Sequence, residues 1–126
     1  MPLCDARVTS IRDGWMKIYK GVRIMPGYIP VIYVDDKVLD IGPSKLLRDY
    51  GADCPEWGYL GSGPSQTALA ILYDAIGSSE VAIKYHQEFK RHFIANYDQN
   101  NFLLLELQIK NWLEAYIRNE GSNDYE

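Results

Sequence analysis

The sequence predicts an α+β fold: a small N-terminal antiparallel sheet, then a bundle of three main helices plus one short helix. Three observations predict it. Ile29 to Val34 is a β-branched run between two loop-forming clusters, Met25-Pro26-Gly27 and Asp35-Asp36. Three later stretches repeat their apolar residues at helical spacing. Strands come first and helices after, which is the α+β order. At 126 residues, the chain reads as a single domain over 1–126, with a possible flexible arm at 1–14 and a frayed tail at 121–126.

In order, Trp15 to Tyr19 reads as a strand, Ile29 to Val34 as the clearest strand, and Lys37 to Leu39 as a short return after the Asp35-Asp36 turn. Pro43 to Tyr50 reads as a short helix with Leu46 and Leu47 buried, stopped by Gly51. A helix is expected over 64–76, with Ala68, Leu69, Leu72, Ala75 and Ile76 on its apolar face. Gly77 suits the left-handed residue after it, and Ser78 can cap the next helix at once. That third helix, about 79–96, carries Val81, Tyr85, Phe89 and Phe93 on one stripe. The last helix, about 103–119, buries Leu105, Ile109, Trp112, Leu113 and Tyr116 or Ile117.

The chain is organised around Glu56 to Gln66, a glycine-rich turn rimmed by Trp57 and Tyr59 that feeds the 64–76 helix. Pro64 suits the first helical position, which makes Gly63 the N-cap and Gln66 a capping-box residue. The bare N–H groups of the first turn, with the positive end of the helix dipole behind them, suit an anion. Gly61 and Gly63 lack a Cβ, so a ligand can approach the backbone. Sharper motifs fail. Gly58 and Gly63 have nucleoside-triphosphate-loop spacing, but Pro64 replaces the lysine. Gln66 stands where a dinucleotide motif needs its third glycine. Leu60 stands where a nucleophile elbow at Ser62 needs glycine. A plain glycine turn before a capped core helix explains the same residues.

The net charge of −4 argues against binding long nucleic acid, though not against a nucleotide pocket. Residues 1–25 carry five basic side chains against two acids, and residues 35–56 carry three against six. Cys4 and Cys54 have no metal-pair spacing; a disulfide between them is one reading and two free thiols the simpler one. No signal-peptide pattern and no bilayer-long apolar run occur, so a cytoplasmic protein away from membranes is expected.

Arg23, at a strand end, reads either as a phosphate-binding fork or as a surface ion pair. Lys90 reads as a phosphate ligand or a solvated lysine. His86 and His92 diverge by about 120° around their helix, a poor metal pair, and no metal or cofactor is expected. His86 lies on the Lys90 face and suits a proton shuttle, though a plain surface histidine is the simpler reading. Trp57 and Tyr59 suit stacking on a base, and for Trp57 anchoring the loop to the core is the simpler reading. Ser62 and Ser65 can donate to a phosphate, and Ser65 equally suits capping.

The run Trp57-Gly58-Tyr59-Leu60-Gly61-Ser62-Gly63-Pro64-Ser65-Gln66-Thr67-Ala68-Leu69-Ala70-Ile71-Leu72 resembles the mark of a family of small prokaryotic and viral proteins of uncharacterised function. The resemblance extends to Tyr19-Lys20-Gly21-Val22-Arg23, to Tyr85-His86-Gln87-Glu88-Phe89-Lys90, and to Ile109 with Trp112. The spread of that family through viruses and their hosts implies a role in defence or counter-defence, as in antiviral signalling or anti-CRISPR conflict between phage and host. With the anion site, it leads to the expectation of a metal-independent phosphodiesterase, a ring nuclease for a cyclic oligonucleotide such as a cyclic oligoadenylate. Ser62, Lys90 and Arg23 would be catalytic. Trp57, Tyr59, Gly61, Gly63, Ser65, Gln66 and His86 would hold the ligand. A symmetric ring suits a two-fold homodimer. The alternatives are a homodimer that binds a phosphorylated small ligand without turnover, and a protein-interaction inhibitor.

Overall fold

The computed structural model describes residues 17–123, so the expectations for the arm and for Trp15 fall outside the described residues. Strand β1 spans Ile18–Ile24, β2 spans Ile29–Val34 and β3 spans Lys37–Val38. Helix α1 covers Gly42–Leu47, α2 covers Ser62–Ile76 and α3 covers Ser79–His92. A 3-10 turn at Ile94–Asn96 leads to β4, Phe102–Leu105, and then α4, Glu106–Asn123. The sheet order is β3-β2-β1-β4, antiparallel throughout. The α+β class holds, with the sheet on the N-terminal side and four helices after its first three strands.

The β1–β2 hairpin turns at Met25-Pro26-Gly27-Tyr28, where the Met25–Pro26 bond is cis. The β2–β3 hairpin turns at Asp35-Asp36, and Asp35 takes φ 56°, a left-handed conformation that aspartate tolerates better than most residues. Tyr19, Ile32, Phe102 and Leu104 form the inner face of the sheet and are buried. They meet Leu69, Ile71 and Leu72 of α2, Phe89 of α3, and Ile109 and Leu113 of α4 in one apolar cluster. Every residue from Pro64 to Leu72 is buried. A helix covered on all sides is the centre of its fold, and α2 holds that position here.

Several boundaries differ from the sequence expectation. Phe102–Leu105 is a strand, and α4 begins only at Glu106. Its burial alternates, with Phe102 and Leu104 inside and Leu103 exposed, and it pairs with β1 through Ile18↔Leu105 and Gly21↔Phe102. A short leucine run suits helix and strand alike, and the free edge of β1 decides. The first strand runs on to Ile24. Leu46 of α1 is exposed rather than buried. The third helix stops at His92, and α4 continues past Gly121 to Asn123. Gly77, at φ 80°, closes α2, and the Ser78 hydroxyl accepts from Val81 N at 3.2 Å, as expected. Among the described residues, no helix is long and apolar enough to cross a membrane.

Candidate functional site

The mouth of α2 is built differently from the sequence expectation. The N-cap is Gly61, in extended backbone, so Ser62, Gly63 and Pro64 make the first turn. Gln66 therefore lies too far along for a capping box. Its fully buried amide reaches sideways: Oε1 accepts from Tyr50 N at 2.8 Å, and Nε2 donates to Ser44 Oγ at 2.9 Å and Arg48 O at 3.0 Å. That amide fixes the loop after α1 against α2.

The bare space at the two glycines is already used. A Cβ on Gly61 would lie 2.9 Å from the Tyr59 ring, and one on Gly63 would lie 2.9 Å from Glu56 Cβ. The glycines admit the protein's own Tyr59 and Glu56 rather than a guest. Glu56 also places a carboxylate beside the positive end of the helix, where it is favourable. Ser62 remains exposed, with Gly61 and Gly63 half-buried, so the mouth is narrowed but open to solvent. Tyr59 is exposed, and burial together with Glu56 raises its phenol above the ordinary value.

Arg23 is committed to the interior. Its side chain is only 7% exposed and meets Glu56 Oε1 at 3.0 Å. Its Nε donates to Gln99 O at 2.7 Å. Its guanidinium lies 4.4 Å from the Trp57 ring centroid and 5.1 Å from that of Tyr28. Of the two readings of Arg23, the ion pair is the one formed, with the guanidinium buried and Glu56 partly exposed. Trp57 is fully buried and packs edge-on against Phe102, which makes it a core anchor. Its indole N–H has no hydrogen-bond partner among the described residues.

On the α3 side of the mouth a second cluster forms, and it contains the remaining sequence candidates. Ser65 is buried; its hydroxyl donates to Gly61 O at 2.9 Å and accepts from Lys90 Nζ at 3.0 Å. Gln87 Nε2 donates to the same hydroxyl at 3.2 Å and to Tyr50 Oη at 2.8 Å. Tyr50 Oη lies 2.6 Å from His86 Nε2. His86 is no surface residue, being 1% exposed. Its Nδ1 faces the carbonyl oxygens of Ile83 at 2.9 Å and Ala82 at 3.1 Å. Burial holds its imidazole below the ordinary histidine value, against those two carbonyls and with help from the Arg48 and Lys90 charges. Burial and the neighbouring Arg91 likewise lower the ammonium of Lys90.

Lys90 and Ser65 are thus brought together, with His86 reached from Ser65 through Gln87. Arg23, Trp57 and Tyr59 stand apart on the Glu56 side. Sequence reasoning missed Tyr50 and Gln87. Gln87 sits between His86 and Glu88 in the third-helix match, whereas only the fold brings Tyr50 to it. No ion-pair partner for Arg48 or Lys90 occurs among the described residues. His92 packs edge-on against Phe93 and tilted against Trp112, and no group of three metal-ligating side chains occurs among the described residues.

Wider grooves lie at the opposite end of α2. One of about 670 Å³ is lined by Lys17, Asp35, Asp36, Lys37, Asp40 and Asp74 among others. A second, of about 300 Å³, shares Leu39, Asp40, Pro43 and Asp74 with it. Their size suits a ligand, but four aspartates against two lysines near the negative end of a helix disfavour phosphate.

No curated protein and no solved structure matches this chain. A family model does match, over residues 19–115, which include both sides of the α2 mouth and the whole Tyr50–Lys90 cluster. The chain belongs to that family, the family of unknown function DUF6166.

Proposed function

We propose that the protein binds a small phosphodiester ligand, in the first instance a cyclic oligonucleotide such as a cyclic oligoadenylate, at the mouth of α2 and cleaves it without a metal. The observation that carries this reading is the Lys90 ammonium held on Ser65 Oγ at 3.0 Å, beside the first turn of α2. A fixed cation and the first-turn amide of exposed Ser62 together suit phosphate oxygens. Ser62 adds an exposed hydroxyl at the same turn. Cleavage can use the 2′-hydroxyl of the ribose as nucleophile, so the protein has to align that group and stabilise charge on phosphorus. A ring of several phosphates is broad, and it suits an open surface better than a closed pocket. Its symmetry suits two copies of the site facing each other across a two-fold axis. A role in antiviral signalling or its suppression would follow from such a substrate.

Capture without turnover is the second reading, and one observation favours it. Ser65 gives its proton to Gly61 O and receives one from Lys90, so this serine is not activated as a nucleophile. Incubation with cyclic tetra- and hexaadenylate in EDTA separates the readings. Linear products support the first, and binding without products supports the second. The absence of both binding and products rejects the nucleotide site and leaves a protein-interaction role. Lys90→Ala should abolish binding of the ring while leaving the urea midpoint close to wild type.

A further inference from the structure

The Tyr50–His86 pair lies beside the cation proposed to hold phosphate. Its protons can be assigned from geometry. His86 Nδ1 faces two carbonyl oxygens, which only accept, so Nδ1 carries a proton. Nε2 of the neutral ring is then a bare acceptor. The closest donor to it is the Tyr50 hydroxyl at 2.6 Å, and the Gln87 amide nitrogen lies farther off at 3.4 Å. Tyr50 therefore donates to His86, while its oxygen accepts from Gln87 Nε2 at 2.8 Å. The phenolic oxygen has two lone pairs, one of which Gln87 uses. The other is left on a half-buried side chain, where a ligand hydroxyl can donate to it.

The placement is held from several sides. Gln66 grips the backbone of Tyr50, and Gln87 links its phenol to Ser65, on which Lys90 rests. Tyr50 Oη and Lys90 Nζ are thereby three hydrogen bonds apart along one chain of donors. Arg48 stands close enough to His86 to oppose charge on it, and Lys90 does the same. From α3 the Ala82 and Ile83 carbonyls hold His86 Nδ1 while Gln87 and Lys90 supply donors, and the loop after α1 brings the Arg48 cation next to the Asp49 carboxylate, which accepts from Gly51 N.

We propose that Tyr50 is the general base of the cleavage proposed above, with His86 receiving the phenolic proton and Lys90 supplying a proton to the leaving oxygen. This rests on the phosphodiesterase reading. In the step, the ribose 2′-oxygen forms a bond to phosphorus as the P–O5′ bond breaks. The 2′-hydroxyl proton passes to Tyr50 Oη, and the phenolic proton passes to His86 Nε2. Lys90 gives one of its protons to O5′. The products are a 2′,3′-cyclic phosphate and a 5′-hydroxyl. Charge then stands as one imidazolium and one neutral amine, and a proton from His86 to Lys90 through solvent restores the start. Tyr50 ends with a proton, so no phenolate accumulates. Tyr50 and Lys90 touch substrate and are catalytic residues; His86 acts through Tyr50 and is a positioning residue.

The experiment follows cyclic tetra- and hexaadenylate in EDTA with wild type and Tyr50→Phe, reading kcat, KM, binding and product termini. Phenylalanine keeps the ring and removes only the hydroxyl. The expected result is a kcat lowered about 10²- to 10⁴-fold with affinity within about 3-fold of wild type. A Tyr50→Phe protein that cleaves as fast as wild type overturns the assignment and leaves the phosphodiesterase reading standing. A wild-type protein that yields no product overturns both. Should Tyr50→Phe fail to fold, 3,5-difluorotyrosine in place of Tyr50 retains the hydroxyl with a more acidic phenol. It should change kcat at fixed pH while affinity stays within about 3-fold, with the acid limb of the pH–rate profile, set by His86, unmoved; an unchanged kcat rejects Tyr50. The product must carry a 2′,3′-cyclic phosphate; a 3′-phosphate formed directly by water would equally refute the step.

Discussion

Replacing Gln66 by methionine tests whether one buried amide holds the site together. Methionine keeps the length and volume of glutamine but has no strong donor or acceptor. Three groups lose a partner: Tyr50 N at 2.8 Å, Ser44 Oγ at 2.9 Å and Arg48 O at 3.0 Å. The losses are unequal. Ser44 keeps its bond to Ile41 O, so its share is small. The Tyr50 N–H is left without a partner next to a fully buried side chain, and an orphaned buried donor costs about 1–3 kcal/mol. With about 1 kcal/mol for the Arg48 carbonyl, the total comes to about 3 kcal/mol. For a chain of this size that lowers Tm by about 10 °C. Urea unfolding followed by circular dichroism reads the stability. Hydrogen exchange at Tyr50 N reads the local opening of the loop and should speed up by more than that of α2. A Gln66→Met protein within about 0.5 kcal/mol of wild type would refute the reasoning, because it would mean that water satisfies those groups equally well.

Gly21→Ala should destabilise the protein by about 1–3 kcal/mol, read as a lower urea midpoint. The new Cβ would lie 2.2 Å from Phe102 Cε2, on a buried ring that Trp57 and Tyr97 hold from two sides. Arg23→Lys should cost about 2 kcal/mol of stability, because lysine cannot serve Glu56 and Gln99 O at once while lying over Trp57; an unchanged midpoint would show that the guanidinium plane contributes nothing. His86 gives a pH dependence whose sign is fixed. Its folded value is lowered, mainly by burial, so the unfolded chain binds the extra proton first. Stability from this group is complete above the ordinary value of 6.5 and is lost as pH falls through the lowered folded value. Urea midpoints at pH 7.5 and 5.0 should differ less in His86→Gln than in wild type, and equal differences would count against this.

Much of the frame was legible from local chemistry. Ile29 to Val34, the Asp35-Asp36 turn, and the Gly77-Ser78 joint between α2 and α3 are set by residues adjacent in sequence. The strand at Phe102–Leu105 was not, because its pairing partner lies more than eighty residues earlier. The site divided in the same way. A mouth at Gly61–Gly63 is local and was visible, but what fills it is not: Tyr59 folds back over it and Glu56 is drawn in by Arg23 from β1. The phosphate-fork reading of Arg23 stood beside the ion-pair reading because Glu56, Trp57 and Gln99 all lie far from it in sequence. His86 looked exposed because Tyr50, which covers its Nε2, lies 36 residues away.

The two ends of α2 have opposite electrical characters, and that contrast bears on what the protein can bind. Its C-terminal end carries Asp74 in the last turn and no basic residue there, against the preference of the helix dipole. Asp74 is kept by Tyr19 Oη at 2.7 Å and Lys17 Nζ at 3.4 Å, so it serves to pin β1 onto α2. Asp35, Asp36 and Asp40 line the same groove. The N-terminal end has Lys90 on Ser65, Arg48 on the loop beyond, and Glu56 neutralised by Arg23. The same loop also carries Asp49 and Asp53, so positive charge at this end of the central helix is confined to the neighbourhood of Lys90. An anion approaching the whole molecule is weakly repelled at long range and attracted only close in. Screening the long-range part with salt should leave on-rates little changed, whereas the short contact to Lys90 weakens. A small, highly charged ligand fits that field, and a long polyanion that must also cross the Asp-lined face does not.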